Sequence, residues 1–210
     1  MQSVDICRPL GALEHIFWLH ERVHPIHFAL TARIKGRFTV DRLQQALNLV
    51  QQRHPLLRVC ILLDEAERPW FVEDSTSIPL RVVQRQSEQC WQREVEQEIV
   101  TSFDWSKAPL VRVVLVHSDV ELSELIVVCH HAIADGISGT YLIRDILQAI
   151  TTPAAFGQSL SVPPSLEDLI VGEAPKTISS SKPIPKFRSD SFSLASSTTK
   201  VRFARQDRDC

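Results

Sequence analysis

The sequence predicts a layered α/β domain, in which helices pack on a sheet. Short runs of apolar or alternating side chains predict strands, and longer runs with a period near 3.6 residues predict amphipathic helices. The two kinds of run alternate along the chain. With 210 residues, 44% of them hydrophobic and 23% charged, the chain can bury a substantial core in one domain.

The first half begins with a predicted strand over 28–34, where apolar and other side chains alternate. Thr39 then offers an N-cap to a helix over 40–52, whose apolar side chains recur on one face. Pro55 ends this helix because its ring cannot continue a helical interior. Strands are then expected over 56–63 and 80–84, and a second amphipathic helix over 87–101.

The second half is predicted to run from strand to turn to helix. Two apolar runs over 111–116 and 125–130, separated by Ser118 and Asp119, predict a hairpin or neighbouring strands. Apolar side chains then recur over 137–150 at the spacing of one helical face. A short polar turn therefore connects the last of these strands to a helix.

This turn, residues 130–136, reads HHAIADG and is the most informative stretch of the chain. Successive strand side chains point to opposite faces, so His130 and His131 cannot both enter one pocket if the strand continues through them. One of them is a site candidate and the other a packing residue. Asp135 could hold an imidazole, pair with an arginine or cap the following helix. Gly136 suits a positive φ angle or a close approach of the backbone.

The same residues leave other interpretations open. Adjacent histidines at a strand end are often structural or surface residues. Two histidines and an aspartate could also contribute to a metal triad, but adjacent strand residues direct their ligand atoms apart. Neither Cys-x-x-Cys nor His-Glu-x-x-His accompanies them. We therefore predict no metal site.

Cysteines and further histidines offer two alternative sites. The five cysteines are irregularly spaced, which indicates reduced thiols, and Cys129 next to the histidines is better explained as a small core thiol than as a nucleophile. His20 and His24 lie at i, i+4, a spacing that can bind zinc. Because Pro25 disfavours helix there, we interpret this pair and the nearby His27 as surface or entrance-lining residues.

Three more segments accompany the HHAIADG turn in a fixed order. They are RPLGALE at 8–14, RHPLLR at 53–58, and FD at 103–104 followed by PLVR at 109–112. Over about residues 8–150 the chain thereby resembles the N-terminal lobe of the condensation-domain superfamily of acyltransferases, which is related in fold to chloramphenicol acetyltransferase. The resemblance implies an α/β (α+β layered) lobe with a mixed, largely antiparallel sheet and helices packed on it.

The resemblance also assigns roles to the turn. His131 is implied to be the general base, which takes a proton from an amine, hydroxyl or thiol acceptor as that group attacks an acyl thioester. An imidazole with a pKa near ~6.5 suits both acceptance and return of the proton. His130 is implied to be its structural neighbour, and Asp135 to pair with an arginine, either Arg58 or one outside this chain. Gly136 is implied to be a turn residue whose N–H lies near the developing oxyanion.

Domain organisation follows from the resemblance and from a shift in composition. Residues 1–152 are predicted to form the lobe, and the Pro- and Ser-rich residues 153–198 a crossover or linker with a short helix near 165–171. Residues 199–210, with a strand over 199–204, would begin a second lobe. Family members hold the active histidine in a tunnel between two lobes. We therefore expect a second lobe from a longer chain, a different partner or self-association.

The predicted function is that of an acyltransferase when the second lobe is present. The donor would be the thioester of an acyl carrier protein or of coenzyme A, and no tightly bound cofactor is expected. A start at Met1 favours a free-standing transferase of the polyketide-associated or dimycocerosyl type. The alternatives are a non-catalytic lobe that docks a carrier protein or completes a partner, and an internal nonribosomal peptide condensation domain that forms amide bonds.

Composition excludes several other classes of partner. The formal net charge of −2 offers no general basic surface for nucleic acid. Apolar runs fall far short of the ~20 residues that a membrane-spanning helix needs. No apolar signal core follows Met1. We expect a cytoplasmic protein.

Overall fold

A computed structural model describes residues 7–118, 122–156, 158–172 and 186–187 of the chain. It confirms the α/β prediction, with helices packed on two sheets. The strands are β1 (Cys7–Pro9), β2 (Phe28–Lys35), β3 (Val59–Leu63), β4 (Pro69–Glu73), β5 (Leu80–Gln84), β6 (Val111–His117) and β7 (Leu122–Cys129). The α-helices are α1 (Ala12–Glu21), α2 (Val40–Arg53), α3 (Cys90–Ile99), α4 (Gly136–Thr151) and α5 (Leu166–Val171).

The larger sheet has the strand order β2-β7-β6-β5 and is mostly antiparallel. Only the pair formed by β5 and β6 is parallel within this sheet. The predicted neighbours over 111–116 and 125–130 are confirmed as the antiparallel pair β6 and β7. At the end of β7, Cys129 lies between Phe28 on one side and Val111 on the other. This register places Phe28 next to the histidine turn.

The smaller sheet has the order β1-β4-β3 and is antiparallel. Arg8 on β1 is buried and forms two hydrogen bonds with the Glu14 carboxylate, of 2.8 and 2.7 Å. A third bond of 2.7 Å, from the Gly11 N–H, reaches the same carboxylate. This segment is therefore fixed to the first turn of α1.

Helices α2 and α4 pack together against the larger sheet. Their apolar faces meet strands β6 and β7 in the main core, where Leu43, Leu47 and Ile146 are fully buried. Polar contacts also join the two helices. The His54 ring nitrogen Nε2 lies 2.8 Å from the buried Asp145 carboxylate, and Arg42 donates to the Ile150 carbonyl oxygen.

Several element boundaries differ from the predictions. The strand expected over 56–63 is confirmed only as β3, because residues Pro55–Arg58 form a 3₁₀ helix closed by a bond from the Leu57 N–H to the His54 carbonyl. The helix expected over 87–101 is shorter at both ends. The strand expected over 199–204 lies outside the described residues, and the division into 1–152, 153–198 and 199–210 stays a prediction.

Residues 158–172 fold back against the lobe. The Leu160 N–H donates to the Arg53 carbonyl, and Ser165 caps α5, which confirms the predicted short helix. Glu167 accepts a hydrogen bond from the Ala12 N–H at the start of α1. None of the helices in the described ranges is long and apolar enough to cross a membrane.

Gly11 is required where this segment meets α1. A Cβ atom at Gly11 would lie 2.6 Å from the Ser165 Cβ and 2.8 Å from the Glu167 Oε1. We expect Gly11→Ala to lower the free energy of unfolding by about 1–3 kcal/mol, because a rigid backbone segment must move. Urea denaturation would measure this. Gly136→Ala is the matched control, since a Cβ there meets nothing within 4 Å. Equal stability of the two variants would contradict the contact.

Candidate active site

The two histidines follow the last strand rather than extend it. Strand β7 ends at Cys129, so the premise that the strand continues through both histidines is wrong. Hydrogen bonds from the His130 N–H to the Leu110 carbonyl and from the Ile133 N–H to the His130 carbonyl close the turn. The two rings nevertheless separate, because His130 is fully buried and His131 is half-buried at a cavity.

The His130 ring is a neutral part of the core. Its Nδ1 accepts a hydrogen bond of 3.0 Å from the Ala132 N–H, so a neutral ring carries its proton on Nε2. Nε2 is buried and has no hydrogen-bond partner among the described residues. Burial lowers the pKa of His130 to about 4. His130 therefore holds the turn and is not placed to meet a substrate.

The His131 ring packs against two aromatic rings. Its centroid is 4.9 Å from that of Phe17 on α1 and 4.7 Å from that of Phe28 on β2. Burial lowers the pKa of His131 and outweighs the opposite effects of the Ala134 backbone and the Asp135 carboxylate. A lowered pKa keeps this imidazole neutral at pH 7, which is the form that accepts a proton.

Asp135 caps the helix that follows the turn. Its Oδ1 accepts hydrogen bonds from the Ser138 N–H (2.7 Å) and the Ser138 hydroxyl (2.6 Å), and these bonds lower the pKa of Asp135. Of the three roles considered for this carboxylate, the structure shows the helix cap. The suggested pairing with Arg58 is wrong: Arg58 ends the 3₁₀ helix and faces β4, where its Nε lies 2.6 Å from Glu73 Oε1.

Gly136 is the first residue of α4 and does not have a positive φ angle. A Cβ added there would meet nothing within 4 Å. The expectation of a positive φ or a close backbone approach at Gly136 is therefore wrong for the described residues. The turn is instead shaped by the buried His130 ring and by the cap of Asp135.

His27 is a structural residue that the sequence did not reveal. The interpretation as a surface residue is wrong for it, because its ring is buried between Glu21 Oε1 (3.2 Å) and the Glu98 carbonyl oxygen (2.9 Å). Burial raises the pKa of Glu21, but hydrogen bonds from His27 and the Ile26 N–H outweigh it and lower that pKa. His20 and His24 are exposed, as expected. The contact joins the end of α1 to α3 and so fixes the helix that carries Phe17.

A cavity of about 470 Å³ lies beside His131. Its walls come from α1, the 3₁₀ helix, the histidine turn, α4 and residues 160–169. Cys129 does not reach it, because that thiol is fully buried in the core and burial raises its pKa to about 12. The core-thiol interpretation is confirmed, and His131 is the histidine of the turn whose ring faces the cavity.

Comparison with known families gives one consistent match. A family model described as "Condensation domain" matches residues 17–167. Bacitracin synthase 3 of Bacillus licheniformis is 33% identical over 116 residues, which cover 55% of this chain and 2% of that protein. A hybrid PKS-NRPS synthetase of Acremonium sp is 30% identical over 160 residues, which cover 74% of this chain and 4% of that protein.

Solved structures share the fold. The polyketide synthase associated protein 5 from Mycobacterium tuberculosis superposes with a TM-score of 0.60 at 20% identity, over 82% of this chain and 41% of that chain. The first condensation domain of the calcium-dependent antibiotic synthetase, in complex with substrate analogue 2a, gives a TM-score of 0.66 at 18% identity. The match covers 80% of this chain and 42% of that chain. The chain thus spans less than half of each of these neighbours.

The helix cap yields a stability prediction. Asp135→Ala should cost about 1 kcal/mol of unfolding free energy, whereas Asp135→Asn should cost less because an amide oxygen can still cap. The folded pKa of Asp135 is lowered, so its stabilising effect is full above the unfolded pKa near ~3.9 and is lost as pH falls through the folded pKa. Denaturant titrations over this range should show the difference between wild type and Asp135→Asn shrinking in acid. A difference independent of pH would contradict the cap.

Proposed function

The chain belongs to the condensation domain family, and we propose that it is the N-terminal lobe of an acyltransferase with His131 as general base. The observation that carries the proposal is the position of His131. Its ring is half-buried at a cavity, packs against two aromatic rings and has a lowered pKa. A neutral imidazole that is reached from a cavity can accept a proton at neutral pH.

The proposed reaction moves an acyl group from a thioester to a hydroxyl or amine. The neutral His131 takes the proton of the acceptor as its oxygen or nitrogen attacks the thioester carbonyl carbon. The tetrahedral intermediate then expels the thiolate, which receives the proton back from the imidazolium. An ester or amide and a free thiol result, and no covalent bond to the protein forms. Such a base contributes on the order of 10²–10⁴ in rate, and positioning of the two substrates supplies much of the rest.

The surroundings of His131 support a second lobe. Apolar side chains on α1 and α4 are exposed near the turn, among them Ile16 (59%), Ile137 (69%) and Tyr141 (53%). Large apolar side chains exposed on both helices beside a cavity are expected where another element covers the surface. We infer that a second lobe, from the same polypeptide or from a partner subunit of like or different sequence, closes the site and excludes water.

The donor and acceptor define two variants of the proposal. We propose that the donor is a thioester of coenzyme A or of a phosphopantetheinyl carrier protein, with no tightly bound cofactor. In the first variant the lobe belongs to a free-standing transferase of the polyketide-associated type. The sequence likeness to bacitracin synthase 3 favours instead a condensation domain that forms amide bonds within a peptide synthetase. Transfer to an alcohol would support the first variant, and transfer to a carrier-bound amine the second.

Replacement of the base tests the reaction. In the protein complete with its second lobe, His131→Ala should lower kcat/KM for transfer from an acyl-pantetheine thioester by about 10²–10⁴-fold. His24→Ala is the matched control, because this exposed histidine does not line the cavity. If the wild type transfers no acyl group to any alcohol or amine but binds a carrier protein, the alternative of a non-catalytic docking lobe is favoured. Undiminished transfer by His131→Ala would remove this residue as the base.

The pH dependence gives a separate test. Because the pKa of His131 is lowered, the acidic limb of the kcat/KM profile should lie below the ~6.5 of an unperturbed imidazole. Activity is then retained as pH falls through that value and is lost only when the ring becomes protonated. Phe28→Leu removes one of the two packed rings and should move the limb toward higher pH. A wild-type limb at or above ~6.5 would contradict a buried, neutral base.

A further inference from the structure

The cavity beside His131 extends well beyond the reacting atoms. Its far wall is formed by residues 160–169, which fold back over the lobe and are held there by the Leu160 and Glu167 contacts. The proton transfer needs only the part of the cavity near the imidazole. The remaining space is thus available to a part of a substrate that does not react.

The lining of this space is largely apolar. Leu13 and Phe17 come from α1, Ile133 from the turn, Leu142 from α4, and Leu160 and Leu169 from the far wall. A volume of about 470 Å³ falls in the range of ~300–1,000 Å³ that is common for small-molecule sites. Such a lining favours a ligand group that gains by leaving water.

The charged side chains of the lining already have partners within the lobe. The Glu14 carboxylate binds Arg8, and that of Asp135 binds Ser138. Glu167 accepts from the Ala12 N–H, and His54 lies against Asp145. No lysine or arginine lines the cavity in the described ranges, and the lining carboxylates already accept hydrogen bonds within the lobe. An anionic substrate group would lose its hydration here without a cation to compensate it, and the lining carboxylates would repel it.

We propose that this cavity binds an uncharged, aliphatic group of one substrate. The inference rests on the proposed function, in which that group is the acyl chain of the thioester donor. An aliphatic acceptor is the other source of the same chemistry. Burial of each methylene contributes about 0.8 kcal/mol, which corresponds to roughly fourfold in affinity.

A binding titration on the 210-residue chain tests the inference without catalysis. The probes are S-alkyl pantetheine thioethers with butyl, hexyl, octyl and decyl groups, which resemble the donor but cannot react. The second arm uses the corresponding free alcohols as acceptor analogues. Calorimetry should show affinity rising roughly fourfold per methylene until the cavity is full. The inference would be overturned if affinity did not depend on alkyl chain length in either arm. It would also be overturned if a probe with a terminal carboxylate bound as tightly as the uncharged probe of the same length.

Paired variants locate the bound group. Leu169 and Ile170 are both exposed neighbours on α5, but only Leu169 lines the cavity. Leu169→Asp should weaken binding of the octyl probe by about tenfold or more, and Ile170→Asp should not. Leu13→Asp and Ile16→Asp form a second pair on α1, in which only Leu13 lines the cavity. Equal effects within both pairs would place the ligand elsewhere.

The outcomes separate this inference from the proposed function. His24→Ala should bind the octyl probe as wild type does, because this exposed histidine does not line the cavity. Length-dependent binding by a protein that transfers no acyl group when complete would uphold the cavity and refute the acyltransferase. Transfer that depends on His131 but not on the length of either substrate would refute the cavity and uphold the enzyme.

Discussion

Burial of the His130 ring is the constraint on which the candidate site depends. The ring is fully buried, and its Nδ1 accepts a hydrogen bond from the Ala132 N–H. The His130 N–H donates to the Leu110 carbonyl, and the His130 carbonyl accepts from the Ile133 N–H. The chain must therefore turn immediately after β7. Because the first histidine is directed into the core, the second is directed toward the cavity, and Asp135, five positions after His130, caps the next helix.

The position of His131 depends on elements that are distant in sequence. Phe17 is supplied by α1 and Phe28 by β2, and the buried contact between Glu21 and His27 fixes the end of α1 against α3. The imidazole is thus oriented by packing more than by a carboxylate, in contrast to a Ser-His-Asp triad. Packing of the ring against these side chains also removes water from it, which is why its pKa falls rather than rises. The same packing therefore sets both the orientation and the pKa of His131.

The sequence predicted those features that depend on local signals. Thr39 and the apolar spacing behind it predict α2, and the order of strand, turn and helix around HHAIADG is correct. Features set by tertiary contacts were not predictable in this way. His27 precedes a strand and gives no local sign of burial, whereas Arg58 lies in a familiar motif but binds Glu73 across the small sheet. The parallel pairing of β5 and β6 and the cavity wall at 160–169 likewise depend on how distant segments fold back.

The central claim is that a buried, neutral His130 directs His131 to the cavity. Nuclear magnetic resonance of the imidazole nitrogens in the 210-residue chain measures this directly, because it reports both the tautomer and the pKa of each histidine. We expect one ring that carries its proton on Nε2 and stays neutral until a pKa of about 4, assigned to His130 by its absence in His130→Phe. A His130 signal that titrates near the ~6.5 of a free imidazole, or that carries its proton on Nδ1, would contradict the account.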